Sequence, residues 1–464
     1  MKALRILSAL VIFLTVFGGS AFAEPEGPPG SWVTDFTVLN LENSPAALGV
    51  TRYVRCTTPG CAADPGATVA NTTVPANGSY YYNPALDPAF PSPFAGSIVL
   101  SSDKLIAATV TVANTATGSA YASDAYAGIS EVSTSVFLPI IMGNLGPWST
   151  QIAVQNAGGS NANVTIDYIG PGAPGDSTIN NLPPNMTAIV DQQSIPGLSN
   201  FNGAAIVTSS QPVAIEVDEY KSSGGVLVSY TGVPLSQANS TVYMPGFIAQ
   251  GQWATDFTIV NTEGSSADVQ VSFVGSGNTL SGSIPANGSA YVNGYAGVIP
   301  AGWTGAPPVS GYYGAATVTS TNGKKLVVVY NIANSAGGPG NYAIGYVGFP
   351  STKGAKKVAV PLIENHYSTG WDTTFSVQNI EGGTANLSMV YSGNLAPNCN
   401  PCTYPMTSAS HTFNQVTDGH VPAGFLGGVT ITSDKNIVVI ADQNKTGAQG
   451  DTAAGFPGIP VPAP

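Results

Sequence analysis

Apolar and polar residues alternate along four segments that share one motif: Trp32–Asn40, Trp148–Asn156, Trp253–Asn261 and Trp371–Asn379. In each segment Thr follows Trp by two positions and Asn follows by eight, and successive Trp residues are 116, 105 and 118 positions apart. Residues of one parity share one face of a strand. The alternation predicts half-buried antiparallel strands, with the Trp-bearing face in the core and the second face in solvent. We interpret the motif as a folding signature.

Each motif ends at an Asn that opens a turn, and a second alternating strand follows, for example Val164–Tyr168. Asn and Gly suit such turns because they tolerate left-handed backbone. Later landmarks recur in the same order, and they predict seven or eight short strands in each ~110 residues. The predicted fold class is therefore all-β, with four tandem antiparallel β-sandwich repeats of immunoglobulin-like outline. The predicted divisions are 1–23 (signal peptide), 24–130, 131–234, 235–350 and 351–464, the last with a Pro-rich tail.

Two further motifs extend the pattern: the turn Ile284–Ser289 (Ile-Pro-Ala-Asn-Gly-Ser) and the strand Gly314–Ser320 (Gly-Ala-Ala-Thr-Val-Thr-Ser). Together with the opening motif they resemble tandem repeats of large secreted or surface proteins of environmental bacteria. The resemblance covers nearly all of the chain after residue 23. It implies extracellular display on stacked β-sandwiches, and it supplies no catalytic residues.

The first 23 residues have the pattern of a secretory signal peptide. Lys2 and Arg5 precede an apolar run from Ile6 to Phe17, and Ala21–Ala23 has the A-x-A form of a cleavage site. The apolar run is short for a membrane span, which needs about 20 residues. We expect cleavage after Ala23 and a secreted or cell-surface protein without a membrane span.

Composition narrows the classes of partner. Charged residues make up 8% of the chain, against about 25% in ordinary globular domains. The net charge is −12, and removal of Lys2 and Arg5 makes it −14. Phosphate backbones and anionic lipid repel such a chain. This excludes nucleic acid as a partner and leaves the chain itself, surface glycans or other surface proteins.

Four cysteines form two close pairs, Cys56 with Cys61 and Cys399 with Cys402. Close pairs in an exported chain indicate two local disulfides. The alternative is a zinc site made of all four thiolates. We favour disulfides because the two pairs lie at opposite ends of the chain, and we predict no cofactor.

Candidate catalytic residues are few. Glycan hydrolysis needs two carboxylates in one cleft, and the local candidates are Glu216, Asp218 and Glu219. Equivalent strands lack these acids, so we interpret them as a solvated strand face. The three histidines (His366, His411 and His420) could hold a metal together with Glu364. Their spacing matches no ligand pattern, and we expect surface loop residues.

Consecutive tyrosines are candidate ligand contacts: Tyr80, Tyr81, Tyr82, Tyr312 and Tyr313. Neighbouring strand residues point to opposite faces, so some of these rings should be exposed and could stack on sugars or pack on a protein. Edge positions on a Tyr-rich strand explain them equally.

Repeat 1 lacks the apolar strand that precedes each later motif, such as Val136–Pro139. The tail Ile459–Pro462 could fill that edge, in a neighbouring molecule or within its own chain, although prolines make it a poor donor.

The sequence therefore predicts an exported, non-catalytic structural or adhesive protein: a stalk, sheath or filament subunit of four domains in a row. The first alternative is a carbohydrate-binding protein that uses exposed tyrosines. The second is a glycan hydrolase with a site between repeats.

Overall fold

The computed structural model describes residues 10–12, 30–58, 60–88, 90–91, 94–170, 172–294, 297–308, 311–334, 342–368, 370–445 and 450–462. Most of the predicted signal peptide lies outside these ranges. We number the repeats 1 to 4 by the predicted boundaries 24–130, 131–234, 235–350 and 351–464. No helix among the described residues is long and apolar enough to cross a membrane.

The described chain is built of β-strands joined by turns. Strands up to the end of repeat 1 are β1 (Leu10–Ile12), β2 (Trp32–Asn40), β3 (Ala46–Val54), β4 (Ala67–Val74), β5 (Ser79–Tyr82), β6 (Gly96–Ser102), β7 (Ile106–Asn114) and β8 (Ser123–Ala127). Repeat 2 contains β9 (Ser133–Gly143), β10 (Trp148–Asn156), β11 (Ala162–Ile169), β12 (Ser177–Leu182), β13 (Thr187–Asp191), β14 (Phe201–Lys221), β15 (Leu227–Thr231) and β16 (Val233–Pro234).

Repeats 3 and 4 have a similar order of elements. Repeat 3 contains β17 (Thr241–Gln250), β18 (Trp253–Asn261), β19 (Ala267–Phe273), β20 (Thr279–Ile284), β21 (Ser289–Asn293), β22 (Thr304–Gly305), β23 (Tyr312–Ser320), β24 (Leu326–Asn334), β25 (Ala343–Val347) and β26 (Phe349–Pro350). Repeat 4 contains β27 (Ala355–Asn365), β28 (Trp371–Asn379), β29 (Ala385–Gly393), β30 (Cys402–Met406), β31 (Ser410–Asn414), β32 (Phe425–Lys445), β33 (Ala453–Pro457) and β34 (Ile459–Pro460). The exception is that repeat 3 has the extra strand β22 and two strands, β23 and β24, where repeat 4 has the single long strand β32. Single 3-10 turns occupy Pro84–Leu86, Gly118–Ala120, Gln192–Ser194, Leu235–Gln237 and Ser351–Lys353.

The sheets are antiparallel. Two four-stranded sheets, β1-β6-β3-β4 and β5-β2-β7-β8, contain the strands up to β8, and the later strands form sheets of eight, ten and eight strands. Phe36 and Val110 of one four-stranded sheet and Val50 and Leu100 of the other join a single hydrophobic cluster. The chain is therefore all-β with β-sandwich character, as the alternation predicted.

The side chain of the motif Asn is buried and stabilises the turn that follows it by hydrogen bonds. Asn156 is 0% exposed, and its Nδ2 donates to the carbonyls of Ser160 and Leu182, both at 2.8 Å. Its Oδ1 accepts from the amide of Gly158 at 2.9 Å. The other three copies make the same kind of contacts within their own turns: Asn40, Asn261 and Asn379. One buried amide thus satisfies backbone groups from two loops.

The motif Thr holds the strand that precedes the motif. We call β9, β17 and β27 the entry strands. Thr150 Oγ1 donates to the Met142 carbonyl at 3.1 Å and accepts from the Met142 amide at 3.2 Å. Thr255 does the same for Ile248 of β17, and Thr373 accepts from the Glu364 amide of β27. The hydroxyl therefore pairs backbone groups of the entry strand beside the motif.

A five-residue strand near the end of each repeat contacts the corresponding strand of two other repeats. We call β8, β15, β25 and β33 the axial strands: β8 contacts β15, β15 contacts β25, β25 contacts β33, and β33 contacts β8. The cycle closes between the first and last repeats, where Val461 packs with Leu39 and Leu41. The predicted arrangement of four domains in a row is therefore wrong, because a row would keep repeat 4 away from repeat 1.

Small residues allow the axial strands to approach one another. A Cβ added to Gly455 would collide with Ile344 of the neighbouring axial strand, and one added to Gly345 would lie 2.5 Å from Val228 Cγ1. Asp124 also ties this centre together, since its carboxylate accepts from the Ser229 amide at 2.5 Å and the Gly455 amide at 2.8 Å. One side chain of repeat 1 thereby bonds to repeats 2 and 4.

Contact between repeats buries most of the second face of the motif strands, which was predicted to be solvated; Asp256 and Thr258 in repeat 3 are half-buried. Gln151, Gln155, Ser376 and Gln378 are each at most 2% exposed. Gln378 Nε2 lies 3.2 Å from Thr317 Oγ1 of repeat 3. The prediction was wrong because a neighbouring repeat covers this face.

The predicted core position of the motif Trp holds only in repeat 1. Trp32 is 3% exposed, whereas Trp148, Trp253 and Trp371 are half-buried. Trp253 stacks on Tyr342 with ring centroids 5.8 Å apart. In the later repeats the indole therefore lies partly open to solvent.

We expect Gly455→Ala to lower the free energy of unfolding by about 1–3 kcal/mol, the usual cost of overpacking. The added methyl group collides with Ile344 of repeat 3. Thermal unfolding and small-angle scattering would measure the loss and any opening of the ring. Gly264→Ala is the matched control, because no atom lies within 4 Å of its added Cβ. Equal stability of the two variants would contradict the axial packing.

We expect Asn156→Ala to lower the free energy of unfolding by about 2–3 kcal/mol, because it removes three hydrogen bonds and leaves buried carbonyls unpaired. Urea unfolding measures the change. Asn180, exposed in the same repeat, provides the control Asn180→Ala, which should change stability little. A small effect at both positions would show that the hydrogen bonds of the buried side chain are unimportant.

Candidate functional site: a cleft between repeats 2 and 3

A cleft of about 520 Å³ lies where repeats 2 and 3 meet. Trp148 and Lys221 of repeat 2 form part of one wall, and Asp256, Tyr291 and Tyr342 of repeat 3 form part of the other. The Lys221 ammonium lies 4.9 Å from the centre of the Trp148 ring. Volumes of 300–1,000 Å³ are usual for sites that hold small molecules. The cleft thus combines aromatic surface with polar groups from two repeats.

Glu219 joins the two walls of the cleft. It is 3% exposed, and its Oε2 accepts from Asn331 Nδ2 of repeat 3 at 3.3 Å. Glu219 Oε1 and Asn331 Oδ1 are buried and have no hydrogen-bond partner. Buried acceptors without a donor cost free energy, and a bound donor would remove that cost. The wall of the cleft therefore contains two buried polar atoms without a hydrogen-bond partner among the described residues.

Asp256 and Tyr291 form a hydrogen-bonded pair on the repeat 3 side. The Tyr291 hydroxyl donates to Asp256 Oδ2 at 3.2 Å, and the Gly294 amide donates to Asp256 Oδ1 at 3.0 Å. Tyr291 is 49% exposed, so its ring is accessible from the cleft. The carboxylate holds the hydroxyl in a fixed orientation.

The predicted solvated face of Glu216, Asp218 and Glu219 is wrong, because all three are at most 3% exposed. They lie on β14, the strand that faces the neighbouring repeats. Asp218 accepts from Ser229 Oγ at 2.7 Å, and Glu216 Oε1 has no partner. Glu216 and Asp218 do not line the cleft, whereas Glu219 does.

The predicted tyrosine contacts are divided between core and surface. Tyr82 is 7% exposed and donates to Asp87, while Tyr80 and Tyr312 are half-buried. Tyr81 and Tyr313 are each 40% exposed. Tyr313 lines a second cleft, of about 330 Å³, between repeats 3 and 4. None of the five lines the larger cleft.

Both predicted cysteine pairs lie at disulfide distance. The Cys56 amide also donates to the Thr187 carbonyl of repeat 2 at 2.8 Å, so this loop packs at a junction between repeats. Cys399, Cys402 and His420 place ligand atoms within 4.8 Å of one another, but the two sulfurs are bonded to each other. The zinc alternative therefore lacks thiolates at this position.

The three histidines have separate partners. His366 Nδ1 lies 2.5 Å from Asp372 Oδ1. His411 Nδ1 lies 3.2 Å from the Tyr404 hydroxyl, and His420 Nδ1 lies 3.1 Å from the Tyr391 hydroxyl. His366 is exposed in a loop, as expected, whereas His411, on β31, and His420 are half-buried.

Several buried carboxyl groups have raised pKa values. Burial raises the pKa of Glu219 to about 8, and the hydrogen bond from Asn331 opposes this. Burial also raises the pKa of Glu364 to about 8, with help from nearby Asp35 and Asp372. Burial raises the pKa of Asp442 to about 6, against hydrogen bonds from Tyr346 and Thr374. These groups favour their neutral forms in the folded protein.

No family model matches this chain, and no curated protein is similar to it. Among solved structures, Thermotoga maritima 1070 is 16% identical over 23% of this chain and 96% of its own, with a TM-score of 0.19. A tetra-tandem repeat in the extending region of a large adhesion protein is 13% identical over 93% and 95%, with a TM-score of 0.11. These scores are too low for an argument about function.

We expect the protein to lose stability as the pH rises from about 4 to about 8. An acid whose pKa is higher in the folded state stays protonated there while the unfolded chain ionises, so deprotonation favours unfolding. Calorimetry across this range measures the loss. Glu219→Gln keeps the shape of the side chain without its charge, and its stability should fall less steeply with pH. Parallel profiles for the two proteins would contradict the raised pKa of Glu219.

Proposed function

We propose that this is an exported, non-catalytic adhesive protein of the cell surface or extracellular matrix, and that it binds saccharide in the cleft between repeats 2 and 3. The observation that carries the proposal is the aromatic surface of Trp148, Tyr291 and Tyr342 in one cleft. Two polar atoms without a partner, Glu219 Oε1 and Asn331 Oδ1, lie in the wall of the same cleft. Sugar hydroxyls donate hydrogen bonds, and the apolar face of a pyranose packs on aromatic rings.

Export rests on the signal pattern of residues 1–23 and on the two disulfides, since disulfides persist in oxidising compartments. We further propose that each repeat is a β-sandwich of immunoglobulin-like outline. The two sheets around one core in repeat 1, β6-β3-β4 and β5-β2-β7-β8, support this outline.

A purely structural role is the second candidate. Hydrophobic clusters continue across the junctions: Phe137 of repeat 2 packs with Val260 and Val327 of repeat 3. Such continuous packing suits a compact particle that serves as a building block. Ordered filaments or sheets of residues 24–464 in negative-stain microscopy would favour this role over saccharide binding.

We expect the protein to bind a subset of neutral oligosaccharides on an immobilised glycan array. Trp148→Ala removes aromatic surface from the cleft and should weaken binding at least about tenfold, equivalent to 1.4 kcal/mol. Glu219→Gln replaces a carboxyl group in the wall of the cleft by an amide and should change the preferred sugars. Isothermal titration with the best array sugar gives the affinities.

Tyr81→Ala is the control, because Tyr81 is equally aromatic, 40% exposed and outside the cleft. Binding lost in Tyr81→Ala and kept in Trp148→Ala would place the site on the tyrosine strand, as the first sequence-based alternative holds. Hydrolysis of the bound sugar by the wild-type protein, abolished by Glu219→Gln, would overturn the non-catalytic assignment.

A further inference from the structure

In repeats 2, 3 and 4 the entry strand lies between two other strands of its own repeat, in the same register each time. We call this position in each repeat the slot. In repeat 2, Val136 pairs with Val207 of β14 on one side and with Pro234 of β16 on the other. Val242 of repeat 3 has corresponding partners, Val318 and Pro350. Val358 of repeat 4 has Ile431 and Pro460. The tail strand β34 therefore stays with its own repeat, and the predicted donation of the tail to repeat 1 is wrong within this chain.

In repeat 1 the slot is filled by a segment of the predicted signal peptide. Leu10, Val11 and Ile12 of β1 pair with Leu100, Val99 and Ile98 of β6, at positions that correspond to those of the entry strands. Cleavage after Ala23 removes β1. The sequence that follows, Glu24–Ser31, contains three prolines, and proline lacks the amide hydrogen that a ladder requires.

The β6 side chains beside this slot are apolar. Ile98 and Leu100 belong to the core cluster of repeat 1 and are 0% exposed while β1 is present. Without β1, the edge of β6 presents unpaired amides and carbonyls next to apolar side chains. Exposed edges of this kind pair with other strands.

The slot also borders repeat 2. Ser97 Oγ of β6 donates to the Asn185 carbonyl at 2.7 Å. In the filled slots the middle residue packs on the next repeat: Phe137 on Val260 and Val327, and Ala359 on Leu39 and Ala107. The corresponding residues beside the slot of repeat 1 are Gln155 and Ala214, which pair with each other. An occupant would therefore contact two repeats.

The entry strands and the tail strand β34 are all paired within their own repeats, so none of them is free to fill the slot of repeat 1 in another copy. We propose that, in the exported chain, this slot binds an extended apolar segment of a different protein by strand addition. The three internal examples specify its chemistry: Val-Phe-Leu, Val-Tyr-Met and Val-Ala-Val. The first and third residues face the core and are at most 2% exposed in all three. The partner segment is therefore an uncharged strand with aliphatic residues at alternate positions. The proposal rests on the export step of the proposed function and is independent of the saccharide cleft.

The test uses residues 24–464 and a synthetic peptide of residues 133–140 (Ser-Thr-Ser-Val-Phe-Leu-Pro-Ile). We expect one peptide to bind per chain by fluorescence anisotropy and to raise the unfolding temperature by several degrees, since ligands of the folded state stabilise it. The control peptide carries Val136→Asp and Leu138→Asp and should bind at least about tenfold more weakly, because the slot would bury its charges. Equal binding of the two peptides, or no binding, would overturn the proposal.

A second variant carries the peptide sequence fused ahead of Gly30 through a Gly/Ser linker. It should be more stable than residues 24–464 and should no longer bind free peptide. A dimer of residues 24–464 that free peptide dissociates would identify a second copy as the occupant and overturn the assignment to a different protein.

Mass spectrometry of the exported protein is a separate check. Retention of residues 1–23 would mean that the chain fills its own slot, which overturns this proposal and leaves the saccharide cleft untouched.

Discussion

Close approach of the four axial strands is the constraint on which the rest of the structure depends. Gly345 and Gly455 leave room for Val228 and Ile344 of the neighbouring strands, and Ala125 and Ser229 hold the corresponding positions in the other two. Larger side chains there would push the strands apart, and with them the repeats. Asp124 reinforces the centre with hydrogen bonds to two other repeats. The junction clusters and the clefts exist because the axis brings the repeats this close.

The packing of the axial strands also determines which side chains meet at the junctions between repeats. Once the repeats are in contact, most of the second face of the motif strands is buried, and the buried polar atoms need hydrogen-bond partners at the junction. Gln378 finds them on Thr317 and Ala316, whereas Gln155 Oε1 and Glu219 Oε1 do not. Unpaired buried atoms are costly. Glu219 differs from Gln155 because it lines an open cleft.

The strands and their turns could be predicted from the sequence because their determinants are local. The alternation along Trp148–Asn156 fixes a strand, and a buried side chain such as Asn156 stabilises the turn after it. The arrangement of repeats could not be predicted in this way, because a polar face has the same period whether water or another repeat covers it. The available signal was residue type: the second faces carry Ser, Thr and Gln, in a chain with only 8% charged residues.

Residues of the candidate cleft were harder to recognise for the same reason. Trp148 was assigned to the core by its parity, and Glu219 to solvent by its charge, yet both lie at the junction of repeats 2 and 3. Only the contact between repeats places Glu219 next to Asn331, 112 positions away. When a site is formed by residues of two repeats, neither repeat alone contains a sequence motif with a recognisable spacing.

Fusion of four repeats into one chain explains why the junctions differ. Four identical chains around an axis would form four identical clefts, and any residue suited to a ligand would be copied into all of them. Here the junction of repeats 2 and 3 holds Glu219 and Tyr291 around about 520 Å³, and the junction of repeats 3 and 4 holds Tyr313 and Asp442 around about 330 Å³. The axial positions differ as well: Asp124 in repeat 1 corresponds to Val228, Ile344 and Ala454. Because each repeat has its own sequence, the axial strands can keep their packing while each junction acquires its own set of polar and aromatic residues.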